Sequence, residues 1–109
     1  MYLKCQNKKI EIKECKTIKE KLKSLRFVLV PIDYGIKIAD QRIWSTYYFC
    51  QKVDILITNK DEKIIKIIEN VKSEKRKILW KKYNIYYLPL NTVKHLKIGD
   101  KLILTEKDH

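Results

Sequence analysis

Asp54 is the residue of this chain best placed, by type and setting, to do acid or base chemistry. It heads the apolar run Ile55-Leu56-Ile57, and a carboxylate set beside such a run and shielded from water is the kind of group that acid or base work uses. The same position also serves a structural end. A buried carboxylate must accept hydrogen bonds, from backbone or from a neighbour such as Thr46, whatever its role. The structural reading ranks first, because nothing else completes a reaction centre. No Ser, Cys or Lys nucleophile stands in a recognisable motif. His95 lies between Lys94 and Lys97 with no second ligand at metal spacing, and His109 ends the chain. The sequence therefore predicts no catalytic residue, no metal and no cofactor, and it leans away from an enzyme.

The second candidate chemistry is electrostatic. Lys72, Lys75, Arg76, Lys77, Lys81 and Lys82 share one window with Trp80, offset locally by Glu74. Clustered cations gain from counterion release on a nucleic acid, and an aromatic among them can stack on a base. The whole chain carries +12, from 25 basic residues against 13 acidic. Yet only 3 of the basic residues are Arg, whose planar fork specific recognition favours. The Lys, Ile, Asn and Tyr abundance is also what an AT-rich genome writes by default. RNA or single-stranded DNA binding is thus the alternative reading, with weak association expected at low salt and none near physiological salt.

A third set is aromatic. Trp44, Tyr47, Tyr48, Tyr86 and Tyr87 could form a stacking platform or line a pocket for an apolar or sugar-like ligand. Alternation along strands would turn about half of them inward. From these segments Thr46, Tyr48, Asp54 and Tyr87 are taken as the candidate ligand-binding set.

These groups need a scaffold. A chain of 109 residues with 45% apolar content fits one packed domain. With 2 Gly and 2 Pro there is little room for a flexible linker or a glycine-rich phosphate loop. Cys5, Cys15 and Cys50 are odd in number and widely spaced, which implies reduced thiols rather than a disulfide framework or zinc knuckle. The N-terminus lacks a signal-peptide core, and no apolar run approaches the roughly 18 residues needed to span a bilayer. A soluble, cytoplasmic protein is expected.

Periodicity places the elements. Residues 10–13 alternate as a strand with one wet face. Thr17-Ile18-Lys19-Glu20 is a capping box that opens a short helix over 17–25, striped by Ile18, Leu22 and Leu25. Strands are expected at 27–30, 36–38, 43–50, 53–58 and 85–88, with Asp33-Tyr34-Gly35 as a turn. Residues 64–71 fit a helical stripe and a doubly buried strand alike; their isoleucine density and the polar turn at 59–63 favour the strand. Asn91 or Thr92 caps a helical turn, Gly99-Asp100 bends the chain into a last strand at 102–104, and the tail 105–109 frays.

Taken in order, these segments resemble the bacterial and archaeal family called domain of unknown function 192. Thr17-x-x-Glu20 leading to Leu25 is similar to the family's helix start, with Ser24 and Arg26 in place of a glycine and a methionine. Thr46-Tyr47-Tyr48, running into Val53-Asp54-Ile55-Leu56-Ile57, is similar to its Thr-aromatic-aromatic stretch and aspartate-led strand, with Lys52 where a proline is usual. Tyr87-Leu88-Pro89 stands for its Glu-Leu-Pro segment, with Asn91 for a following glycine, and Ile98-Gly99-Asp100 matches its closing turn. The resemblance implies a mainly β, α+β domain, a compact antiparallel sandwich or barrel-like fold with one short helix. It implies no established activity. The leading functional reading is a non-catalytic accessory module that presents a β-sheet face or pocket to a small ligand or protein. Nucleic-acid binding through 72–82 stands second, and an enzyme built around Asp54 last.

Overall fold

Strand β4 (Val53–Thr58) is buried along its whole length, Asp54 and Thr58 included, and its run Ile55-Leu56-Ile57 suits a strand covered on both faces. The computed structural model describes residues 2–5, 8–16, 32–47, 49–94 and 96–105. Around β4 are arranged β1 (Tyr2–Cys5), β2 (Lys8–Cys15), β3 (Tyr34–Ser45), β5 (Ile64–Val71), β6 (Arg76–Leu88) and β7 (Leu104–Thr105). They form one seven-stranded sheet in the order β5-β4-β6-β3-β2-β1-β7. The expected strand at 64–71 is present, paired with β4 across the 59–63 turn. The expected helix at 17–25 and strand at 27–30 lie outside the described residues.

Several expectations are corrected. The sheet is mixed rather than antiparallel, because β2 and β3 run parallel, which a long crossover between Cys15 and Tyr34 permits. It also stops short of a closed barrel. Its two margins touch where Lys63 and Lys101 form a lone bridge, flanked by Ile64 N–H donating to Asp100 O and Leu102 N–H donating to Glu62 O. That clasp takes up Leu102, so the last strand falls at Leu104–Thr105, where Thr105 pairs with Tyr2. Tyr34 and Gly35 belong to β3 rather than to a turn. Residues 91–94 make turns and bends without a helix.

The largest departure is in β6, which runs from Arg76 and so makes the basic window part of a strand. A straight strand of its 13 residues would measure about 43 Å, yet the longest extent of the molecule is 32 Å. The ribbon of β3 and β6 therefore bends back over the sheet. Ile36 pairs with Tyr87 and Ser45 with Arg76, rungs that would lie about 30 Å apart in a flat ribbon. Instead the Ser45 N–H donates to Tyr87 Oη at 3.1 Å.

One apolar cluster fills the space beneath this folded arm, joining Trp44, Leu79 and Tyr83 of the arm to Ile55, Ile57, Ile85 and Tyr87 of the sheet. A second lies on the opposite face, where Val93 and Leu102 cover Leu3, Ile12, Leu56, Tyr86 and Leu88. Among the described residues no helix is long and apolar enough to cross a membrane.

Candidate nucleic-acid interface

The bend is made by breaks in register. Between Ile38 and Ile43 of β3, and between Ile78 and Ile85 of β6, the ladder slips twice, and Asp40 takes a left-handed φ of 60°. Bulges of this kind turn a corner in a sheet. The side chains explain the place. Leu79 and Tyr83 are both buried, and strict alternation would send Lys81 into the core between them. The bulge at 79–82 instead leaves Trp80, Lys81 and Lys82 facing solvent.

Trp80 is consequently 81% exposed. Its carbonyl accepts a hydrogen bond from Arg42 Nη2 at 3.3 Å, and Lys81 Nζ sits 5.6 Å from its ring centroid and 5.4 Å from that of Tyr83. Next to it Ile78 and Ile43, exposed cross-strand partners, extend an apolar strip along the outside of the arm. Arg76 and Lys77 continue the strand outward, and Lys72 and Lys75 lie in the turn that precedes it; all four are exposed. The structure thus gathers the six cations of the window and Trp80 on one strand and its turn, with Arg42 added from β3.

The candidate ligand-binding set is placed differently. Thr46 is buried, and its hydroxyl donates to Lys72 O at 2.7 Å and accepts from Lys75 N–H at 3.0 Å. It staples the β5–β6 turn to the end of β3. Tyr87 is buried under the arm, its ring edge-on to Phe49 at 5.7 Å, and burial pushes its hydroxyl up to about 12 despite the bond from Ser45. Asp54 points to the opposite face, beside Leu88. Tyr48 and His95 lie outside the described residues. Thr46 and Tyr87 are brought together through Ser45; Asp54 is not.

Asp54 answers a local need. Val53 pairs with Val71 and Ile55 with Ile68, so Glu69 and Asn70 together oppose Asp54, and Asn70 has a left-handed φ of 57°. The bulge frees the Asn70 N–H, which donates to Asp54 Oδ1 at 2.9 Å. The other oxygen, Oδ2, is buried without a hydrogen-bond partner among the described residues. Asp54→Ala should therefore cost about 1–3 kcal/mol by orphaning that amide, while Asp54→Asn, which retains the acceptor, should cost less. Thermal melts of the two variants check this order.

Glu62 is the polar centre that sequence reading passes over as part of a turn. Its Oε1 accepts from Thr58 Oγ1 and Asn84 Nδ2, both at 2.9 Å. Its Oε2 takes the Tyr86 hydroxyl and the Lys37 ammonium, the latter at 3.2 Å. Burial pushes the Glu62 carboxyl up, but these hydrogen bonds and the Lys37 charge outweigh it and hold the pKa below the ordinary value. Burial and the same bond raise Tyr86. The one available signal was Thr58, Asn84 and Tyr86 themselves, polar groups on one face of adjacent strands that require a common partner. The network is closed and holds no group spare for a substrate.

No protein-family profile matches the chain, and no curated protein matches it. Two solved structures share the fold. One is a protein of unknown function from Novosphingobium aromaticivorans, at a TM-score of 0.72 and 15% identity, covering 94% of this chain and 82% of that one. The other is a "putative transcription regulator" from Sinorhizobium meliloti, at a TM-score of 0.73 and 16% identity, covering 94% and 89%.

Proposed function

We propose that this protein is a non-catalytic binding domain, and that the bulged corner of β3 and β6 receives a single-stranded nucleic acid. The observation that carries the reading is Trp80, a large aromatic ring almost wholly in solvent among lysines. An exposed indole costs solubility with no return to the core, and base stacking is a use to which such a ring is suited. Arg42, Arg76, Lys77, Lys81 and Lys82 would meet the phosphates on either side. The sequence alone ranks a small ligand or protein partner first; the corner supports reversing that order. Burial of Thr46 and Tyr87, and the bond between Asp54 and Asn70, speak for structural roles rather than a pocket or an enzyme.

Kinship with domain of unknown function 192 belongs to the same proposal. The positions that carry the resemblance do structural work here: Thr46 in its turn, Asp54 at its bulge, and Gly99 at a φ of 97° that favours glycine. The fold neighbour named as a transcription regulator is compatible with a nucleic-acid partner, but the reading rests on the side chains of this chain. A cytoplasmic site of action is part of it.

Binding to a short oligonucleotide should weaken steeply with salt, each phosphate contact adding about 0.7 to the logarithmic slope. Replacing Arg76 and Lys77 together by alanine should flatten that slope by roughly 1.4. A slope unchanged by the double substitution counts against this surface.

A further inference from the structure

Strands β5 and β6 follow each other in the chain but not in the sheet, because β4 lies between them. The turn 72–75 that joins them therefore closes no hairpin, and no ladder of β5 on β6 holds it. Thr46 holds it instead. Its hydroxyl donates to Lys72 O at 2.7 Å and accepts the Lys75 N–H at 3.0 Å. Its own N–H donates to Lys75 O at 2.8 Å, and its carbonyl accepts the Glu74 N–H at 3.2 Å. Four backbone groups of a short turn thus converge on one fully buried residue, around which Glu74 bends with a left-handed φ of 61°. Lys72 and Lys75 are exposed on that turn, immediately before Arg76, which pairs with Ser45 at the start of the arm.

We propose that Thr46 is a positioning residue of the nucleic-acid surface, holding Lys72 and Lys75 ready for phosphates beyond those met by Arg76 and Lys77. The inference rests on the single-strand reading of the corner and extends that surface past the start of β6. A turn free to move must be ordered when an oligonucleotide binds, and each side chain immobilised then costs affinity. A turn fixed by buried hydrogen bonds has met that cost on folding. The hydroxyl is the group on which this depends. Serine keeps both of its hydrogen bonds, whereas valine keeps the branched shape and loses them.

The test follows binding of the whole protein to labelled oligothymidylate by anisotropy over a range of salt. Lys72→Ala combined with Lys75→Ala should flatten the logarithmic salt slope by roughly 1.4, two contacts at about 0.7 each. Thr46→Val should weaken binding about five- to tenfold at low salt, and Thr46→Ser should bind as the wild type does. The two lysine substitutions should cost the valine variant less than they cost the wild type, since the lysines act through the turn that Thr46 holds. A Thr46→Val protein that melts lower yet binds with wild-type affinity would show a purely structural role and overturn the inference. Lys72 and Lys75 are exposed, so their double variant decides the matter even where the valine variant does not fold, and an unchanged slope there also overturns it. Failure of the wild type to bind oligothymidylate would overturn the reading of the corner itself. Binding that depends on Trp80 but is indifferent to Lys72, Lys75 and Thr46 would overturn this extension alone.

Discussion

Glu62→Ala should destabilise the domain by about 3 kcal/mol, the largest loss expected from any substitution of a partly exposed residue here. Four donors converge on this carboxylate, from Thr58, Asn84, Tyr86 and Lys37. Thr58 and Tyr86 are wholly buried and would be left with unpaired hydroxyls, each costing about 1–3 kcal/mol before relaxation. Water admitted at the Lys37 side offsets part of this. The backbone adds an unusual control. Glu62 has a left-handed φ of 62°, a conformation that costs an L-residue roughly 1–2 kcal/mol and glycine nothing. Glu62→Gly should therefore be less damaging than Glu62→Ala, the reverse of the usual order, as denaturant unfolding would show.

The same residue gives the fold an acid-sensitive component. Because its folded pKa lies below the unfolded value near 4.5, its contribution is fully present above that value. It is lost as pH falls through the folded pKa, since the native carboxylate must then take up a proton. Glu62→Gln should remove this component, so that stability depends less on pH below about 4.5 than in the wild type.

Gly35→Val should cost roughly 3 kcal/mol or more. Gly35 lies in β3 where a Cβ would stand 2.6 Å from Leu88 Cδ2, 2.7 Å from Ile12 Cδ1 and 3.3 Å from Tyr87 O. The first two are methyl ends that can swing, so Gly35→Ala should cost only about 1–2 kcal/mol. Valine adds two further carbons where Leu88 is fully buried, and the backbone oxygen of Tyr87 cannot yield. Equal melting temperatures for the alanine and valine variants would mean that β2 and β6 are not packed as closely as described.

Gly35 also illustrates what a sequence conceals. Beside Asp33 and Tyr34 it reads as a turn residue, yet it serves close packing between strands, a contact set by residues distant in the chain. The strands β4 and β5 were legible because a dense apolar run, a polar turn and a second apolar run state a hairpin locally. The first half of β6 was not. Ile78, Leu79, Trp80 and Tyr83 follow no period of two, because a bulge interrupts the strand that contains them. The parallel pairing of β2 and β3 has no local signature at all. At the candidate site the cations and Trp80 were visible in the sequence. Their display on a folded-back arm was not, and neither was the arrival of Arg42 beside them. Glu62 stayed hidden for a similar reason, since Tyr86 and Asn84 lie 24 and 22 residues away.

Tryptophan fluorescence tests the central claim most directly. The chain has two tryptophans; Trp44 is buried and Trp80 exposed, so Trp80 is the one that can answer to a ligand at the surface. Titration with a short single-stranded oligonucleotide at physiological salt should quench its emission saturably as bases stack. Trp80→Ala should weaken the binding, followed by anisotropy of a labelled oligonucleotide, by about 10- to 100-fold. Its melting temperature should be unchanged, as expected for a ring that contributes nothing to the core. Emission indifferent to the oligonucleotide at that salt, or binding equally tight without Trp80, would contradict the account.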